Sequence, residues 1–442
     1  MSLRNQRSWA GWSTTVLNLL LISTFAGRAL ACPFCGAINA TFTEEIDLAD
    51  LAVTAKLVKL PVEPEKTAIE TQNLNPPRAT FEVLHVIKGG GVIQAGMEIE
   101  AIYFGDGPLG KKFLLYGALQ PKQEWSTPIT LTDELEKYLF DVLKYPKDRG
   151  ERAVLLQKHL LSGDPIVRQD AYNEFAITDY KDLQAVKSKF DLAQIRSGVA
   201  NIESEESQLA LNYTLLGLCG DLGDVPLLEQ RMTSADDRQR KRLDALSGAY
   251  LTLRGESGLA FLDEKLIRPG LQGDKFTELY RVLLALRYHG DDGGQISREK
   301  IIPIVRQWLK YPKYADLVIP DLARWQDWDS MDQIMALYKD ENGEAPFVRE
   351  PAVKFMEVCP HPQAKVNLLE MERIDPDAFK RAKLFRAIPG LGAKKTEGAT
   401  APVKGASPPA TPSSDPPPGD SAIKANSPTS SDTPSAAEFR TK

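Results

Sequence analysis

A small β-barrel followed by an all-α array of helical repeats and then a disordered tail is the fold class the sequence predicts. Three observations predict it. Apolar residues alternate with a period of two from Leu51 to Leu119, the period changes to 3.6 from Asp133 to about Arg386, and after Gly392 the composition collapses into Ala, Pro, Ser, Thr and Gly. These changes place a signal at 1–31, the barrel at 32–119, a linker at 120–132, the helical array at 133–392 and the tail at 393–442.

The leading segment carries the three parts of an export signal in order: Arg4 and Arg7, the apolar run from Val16 to Ile22, and the small-x-small site Ala29-Leu30-Ala31. Its apolar run is well short of the roughly 20 residues a membrane span needs, so cleavage is expected. No later segment is apolar enough to span a bilayer. The expectation is therefore a chain delivered to the periplasm, cell surface or exterior. A net charge of −6 speaks against a nucleic-acid partner, whose phosphates call for a basic stripe. Four cysteines are too few to build a disulfide scaffold, and Cys219 and Cys359, each among apolar helical residues, read as buried, inert thiols.

Four strand patterns make up the barrel. Leu51, Val53, Ala55 and Leu57 share one face, as do Phe81, Val83, His85 and Ile87 in the next run, which Lys88-Gly89-Gly90-Gly91 ends. The third run sets Met97, Ile99, Ala101 and Tyr103 opposite Glu98 and Glu100. Phe113-Leu114-Leu115-Tyr116 is apolar on both faces and reads as a central strand. Proline-punctuated residues from Pro61 to Pro77 form a loop between the first two runs.

The segments Asp50 to Leu57, Phe81 to Gly89 and Gly110 to Gly117, taken in this order, resemble successive strands of netrin-like modules, the OB-type barrel shared with tissue inhibitors of metalloproteases. Those modules also begin with a cysteine pair at the mature amino terminus, where Cys32-Pro33-Phe34-Cys35 stands here. The resemblance covers about residues 32 to 119. It implies that Cys32 could chelate a target metallopeptidase's zinc through its free amine and carbonyl. The spacing is Cys-x-x-Cys rather than Cys-x-Cys, however, and the module's distant partner cysteines are missing.

The helical region shows the i, i+3, i+4, i+7 rule at Phe276, Leu279, Tyr280 and Leu283, while Val167, Ala171 and Phe175 stack at i, i+4, i+8. Asp164-Pro165-Ile166-Val167-Arg168-Gln169-Asp170-Ala171 recurs as Ala345-Pro346-Phe347-Val348-Arg349-Glu350-Pro351-Ala352, a separation close to five units of about 36 residues. Ser234 to Arg240 falls near the second unit between them. The pattern resembles HEAT-like repeats. That resemblance implies that Pro165 and Pro346 open the second helix of a pair, that Val167, Ala171, Val348 and Ala352 pack inward, and that Arg168 and Arg349 contact the next repeat. Each helix pair has an apolar face it cannot bury alone, so stacking supplies the core. The tail beyond Gly392 lacks the apolar residues that would offset its ordering entropy.

Sites for chemistry are few. Cys32 and Cys35 stay open between a short disulfide, a lipid anchor at Cys32 with a membrane tether, and a redox-active exported thiol pair. Zinc would need a second pair of ligands, and Gly36 rules out a c-type haem motif. His85, His159, His289 and His361 form no constellation, and the usual hydrolase and phosphate-loop signatures are absent. Asp291-Asp292-Gly293-Gly294 reads as a turn, and Arg238 to Arg242 as a solvated basic helix face. The sequence thus predicts an exported bacterial protein without enzymatic activity or cofactor, which binds a protein or peptide through its helical surface. The alternatives are a metallopeptidase inhibitor acting through Cys32 and a Cys-x-x-Cys thiol protein.

Overall fold

In the computed structural model, which describes residues 39–61, 76–120, 123–293, 295–340 and 347–384, the period-two region forms antiparallel strands. They are β1 (Leu51–Lys59), β2 (Arg78–Lys88), β3 (Glu98–Ile102), β4 (Lys112–Ala118), β5 (Glu124–Trp125) and β6 (Ile129–Thr130). The neighbour order is β3-β2-β1-β4-β5, with β6 also on β4, so three meandering strands are joined by a fourth that returns beside the first. Contacts between β3 and β5 bring the ends together into a small, nearly closed barrel. The stretch 120–132, expected to link two regions, carries β5 and β6.

The barrel interior is filled by Leu51, Val53, Ala55 and Leu57 of β1 with Val83, Ala101 and Leu115. At its centre Phe81 stands edge-on to Tyr103 and Phe113, with ring centroids 5.8 and 5.4 Å away. The other face of the sheet is also covered: Ala52 and Leu114, with Ile87 and Tyr116 against them, belong to the core of the helical region. This is why β4 is apolar on both sides. His85 departs from its expected place in the barrel face. The β1–β2 register shifts between Thr54 and Ala55, which turns β2 over beyond Val83. His85 is left exposed, its Nδ1 3.1 Å from Thr54 Oγ1 and its ring against Phe140.

Ahead of the barrel, α1 (Phe42–Leu48) begins with a capping box between Thr41 and Glu44 and buries Phe42 and Ile46 in the helical core. The region after the barrel opens with α2 (Asp133–Val142), α3 (Arg149–Leu156), α4 (Pro165–Ala176), α5 (Tyr180–Ala185), α6 (Leu192–Ala200) and α7 (Glu206–Cys219). It continues with α8 (Val225–Met232), α9 (Leu243–Arg254), α10 (Leu259–Leu262), α11 (Arg268–Gly273) and α12 (Phe276–Tyr288). The last helices are α13 (Arg298–Arg306), α14 (Pro312–Arg324), α15 (Met331–Tyr338), α16 (Arg349–Val358), α17 (Pro362–Ile374) and α18 (Pro376–Leu384).

A periodicity links them. α4, α7, α9, α12, α14 and α16 start at residues 165, 206, 243, 276, 312 and 349, giving five intervals of 41, 37, 33, 36 and 37 residues. Several members pack both on a shorter partner and on the next of the series: α7 on α6 and α9, α9 on α8 and α12, α14 on α13 and α16. Gly217 is needed where α7 meets α9, because a Cβ there would lie 2.9 Å from the Ala249 Cα. Between α12 and α14 the link is polar: Arg287 Nε donates to both oxygens of the fully buried Asp321, at 3.0 and 2.8 Å.

Candidate partner-binding surface

The repeated residues lie at or shortly before the starts of the long helices. Asp164 caps α4, its Oδ1 accepting from the Ile166 and Val167 N–H groups at 2.8 and 3.3 Å and its Oδ2 from the Thr132 hydroxyl at 2.6 Å. Burial works against its charge, but these bonds outweigh burial and hold the carboxyl below the usual range. Pro165 takes the first helical position, where its missing N–H costs nothing. Val167 and Ala171 are buried, and Arg168 donates to the Ser162 carbonyl at 2.7 Å while lying 4.0 Å from Glu205 at the head of α7.

The same local geometry recurs at Ser234. The Asp236 N–H donates to Ser234 Oγ at 3.1 Å, as the Asp164 N–H does to Ser162 Oγ. The Arg238 N–H donates to Asp236 Oδ1 at 3.0 Å, and Arg240 donates to the Ser234 carbonyl and reaches Glu278 of α12 at 3.2 Å. At the third site Val348 and Ala352 are buried, and Arg349 pairs with Asp375 just ahead of α18. Thus Arg168, Arg240 and Arg349 each meet an acid at or near the head of a following helix. The run from Arg238 to Arg242 is not a solvated helix face. It is a turn ending in Arg242 at φ 51°, and the Arg240 and Arg242 side chains are mostly covered. Cys32, Cys35 and Pro346 lie outside the described residues.

Where α1 meets the helices, a buried polar network joins the apolar packing of Phe42 and Ile46. Asp170 accepts from the Phe42 N–H at 2.8 Å and the Tyr138 hydroxyl at 2.6 Å. Glu174, one turn later on α4, accepts from Arg152 Nε at 2.9 Å and from the Thr43 hydroxyl at 2.6 Å, and Arg152 also donates to the Val142 carbonyl at 2.9 Å. One guanidinium faces two carboxylates. Burial pushes Asp170 up to about 6 against its two hydrogen bonds, whereas for Glu174 the Arg152 and Thr43 bonds outweigh burial and hold the carboxyl down. Sequence reading missed this network because Asp170 and Glu174 interrupt the apolar pattern; α4 is in fact buried nearly all round, both acids included.

A second buried group opposes Asp170. His289 Nε2 lies 3.1 Å from the Gly248 carbonyl, Nδ1 has no partner among the described residues, and burial pushes the imidazole down to about 4. Asp170, raised in the folded state, contributes stability that is complete below the unfolded value of about 4 and lost as pH rises through about 6. His289, depressed in the folded state, contributes stability that is complete above the unfolded value of about 6.5 and lost as pH falls towards about 4. Denaturant titrations between these limits should show opposite differences from the parent chain. Asp170→Asn should lose ground progressively on acidification, and His289→Gln should gain it. Parallel profiles for the two variants would refute both assignments.

Several clefts open on the described helices, one of about 690 Å³ beside Met232, Arg240, Lys265 and Glu278. Of two others the larger, about 750 Å³, is walled by Tyr180, Lys187, Gly217, Leu222 and Thr252, which come from α5, α7, α9 and the turns beside them. Cys219, the last residue of α7, is half-buried rather than buried, as is Cys359 at the end of α16, since each falls where its helix stops. Burial pushes the Cys219 thiol up to about 11, so it stays protonated and unreactive. The smaller cleft, about 410 Å³, lies between α6 and α7. Trp308, Trp325 and Tyr314 are buried in the core and face neither cleft. Among the described residues no group of three His, Cys, Asp or Glu side chains could hold a metal ion, and no helix is long and apolar enough to cross a membrane. No family model, curated protein or solved structure matches the chain.

Proposed function

We propose that this is an exported, non-enzymatic binding or scaffold protein in which an OB-type, netrin-like barrel precedes a HEAT-like helical array whose surface recognises a protein partner. The observation that carries this reading is the larger cleft, because α5, α7 and α9 belong to successive units of the series and jointly supply its walls. Regular intervals, recurrent Asp and Arg geometry, and helices that pack on their neighbours favour stacked repeats over an irregular bundle. The strand order with its fourth strand beside the first favours the OB-type barrel. Export rests on the signal-like residues 1–31.

The test uses side chains that the fold does not need. Gln184 and Lys187 are exposed and Leu222 is 63% exposed on the cleft rim. The triple variant Gln184→Glu, Lys187→Glu, Leu222→Asp should keep its circular dichroism spectrum and melting temperature. It should lose a partner that the parent chain captures by cross-linking from the envelope and medium of its native cell. Identical captured sets from folded parent and variant would reject the cleft as the recognition surface.

A further inference from the structure

We propose that the smaller cleft, between α6 and α7, binds an extended, uncharged stretch of peptide main chain. This rests on the repeat-surface reading and gives it a ligand chemistry at a second place. Ser197, Asn201, Ser204, Gln208 and Asn212 line the cleft, with leucines beside them and no ionisable side chain. Two acids in the turn ahead of α7 lie towards arginines, Glu203 3.7 Å from Arg238 and Glu205 4.0 Å from Arg168. Among the described residues that line the cleft there is no cation for a phosphate or carboxylate and no anion for an ammonium.

Gln208 and Asn212 stand four residues apart on α7, on one face and about 6 Å apart along the axis. The same spacing occurs on α4 and α17, where each pair satisfies itself. Gln169 Nε2 donates to Asn173 Oδ1 at 2.8 Å, and Gln363 Nε2 to Asn367 Oδ1 at 3.2 Å. Among the described residues the Gln208 and Asn212 amides make no such bond, so both present a donor and an acceptor to the cleft. Asn212 is also held in place. Gly198 of α6 lies against its amide so closely that a Cβ would fall 2.6 Å from Cγ, Oδ1 and Nδ2.

A carboxamide matches a peptide group, accepting from its N–H and donating to its C=O. Alternate residues of an extended chain repeat about every 6.6 Å, close to the rise between Gln208 and Asn212. Two amides can therefore address two peptide groups on one edge of the same strand. Leu160, Leu161 and Leu211 line the cleft beside these amides, and Leu161, 60% exposed, offers apolar contact to a ligand side chain.

The probes are acetyl-Ala-Leu-Ala-Leu-amide, the same peptide N-methylated at alternate amides, and maltotriose as an uncharged hydroxyl ligand, each titrated into the full chain. NMR of the Gln208 and Asn212 side-chain amides, with Kd from the titration, reads the outcome. The plain peptide should move both amides, and N-methylation should weaken it about tenfold or more. Asn212→Leu, and Gly198→Ala, which pushes the Asn212 amide aside, should weaken it comparably with melting temperatures no lower than the parent's. Equal binding of the methylated peptide, equal binding by folded Gly198→Ala, silence of both amides at millimolar peptide, or movement by maltotriose alone would each overturn the proposal. If Asn212→Leu does not fold, Gly198→Ala and the methylated peptide decide. Failure here with partner capture still lost in the triple variant rejects this cleft alone, because those substitutions lie at the other one.

Discussion

Replacing Arg152 with alanine should cost about 3–5 kcal/mol, read as a fall in the denaturant midpoint at pH 7. Only a few other substitutions in the chain should match it. The guanidinium pairs with Glu174, donates to the Val142 carbonyl and lies 3.3 Å from the Thr43 hydroxyl. Its removal strands Glu174, 2% exposed, as an uncompensated buried charge beside Asp170. The double variant Arg152→Met, Glu174→Leu should recover much of the loss, since an apolar pair of similar volume leaves no charge to desolvate. A cost below about 1 kcal/mol for Arg152→Ala would show that water reaches the network.

Phe81→Ala should cost a similar amount, about 3–5 kcal/mol, by leaving a cavity between Tyr103 and Phe113 that the ring now fills edge-on. The informative readout is where the loss spreads. Barrel interior and helical core meet across β1 and β4, because Ala52 and Leu114 belong to the latter while their sequence neighbours face the former. Hydrogen exchange should therefore show β1, β4 and α2 losing protection together in the variant. Loss confined to β2 and β3, with α2 unchanged, would mean that the sheet opens independently of the helices.

Much of this architecture was legible in the sequence because it depends on long runs of a single period. The change from two to 3.6 separates barrel from helices, and the apolar run Phe113 to Tyr116 correctly marks a strand covered on both faces. The separation of Asp164 and Ala345 by five units of about 36 residues anticipates the spacing of α4, α7, α9, α12, α14 and α16. What escaped has local physical causes. β5 and β6 have two residues each, too few to display a period. One shift in the β1–β2 register reversed the face of His85, which no alternation pattern can encode. Asp170 and Glu174 are buried because Arg152 arrives from α3 and α1 lies over them, and both partners are distant in sequence. Likewise, nothing in the sequence separates the open amides of Gln208 and Asn212 from the self-paired Gln169 and Asn173, because the difference lies in the cleft between α6 and α7.

The continuity of the core across the sheet has a consequence for how the helical series begins. A stack of helices whose units bury their apolar faces on one another has an unsatisfied face at its first member, and such ends ordinarily need a polar terminal unit. Here α1 and the outer face of the barrel are fitted to that end, with Phe42, Ile46, Ala52 and Leu114 packed into the helices and Asp170 gripping the α1 backbone. The barrel therefore acts as a stopper: its outer face covers apolar core of the helical region, and helices expressed without it should carry an open, self-adhesive surface.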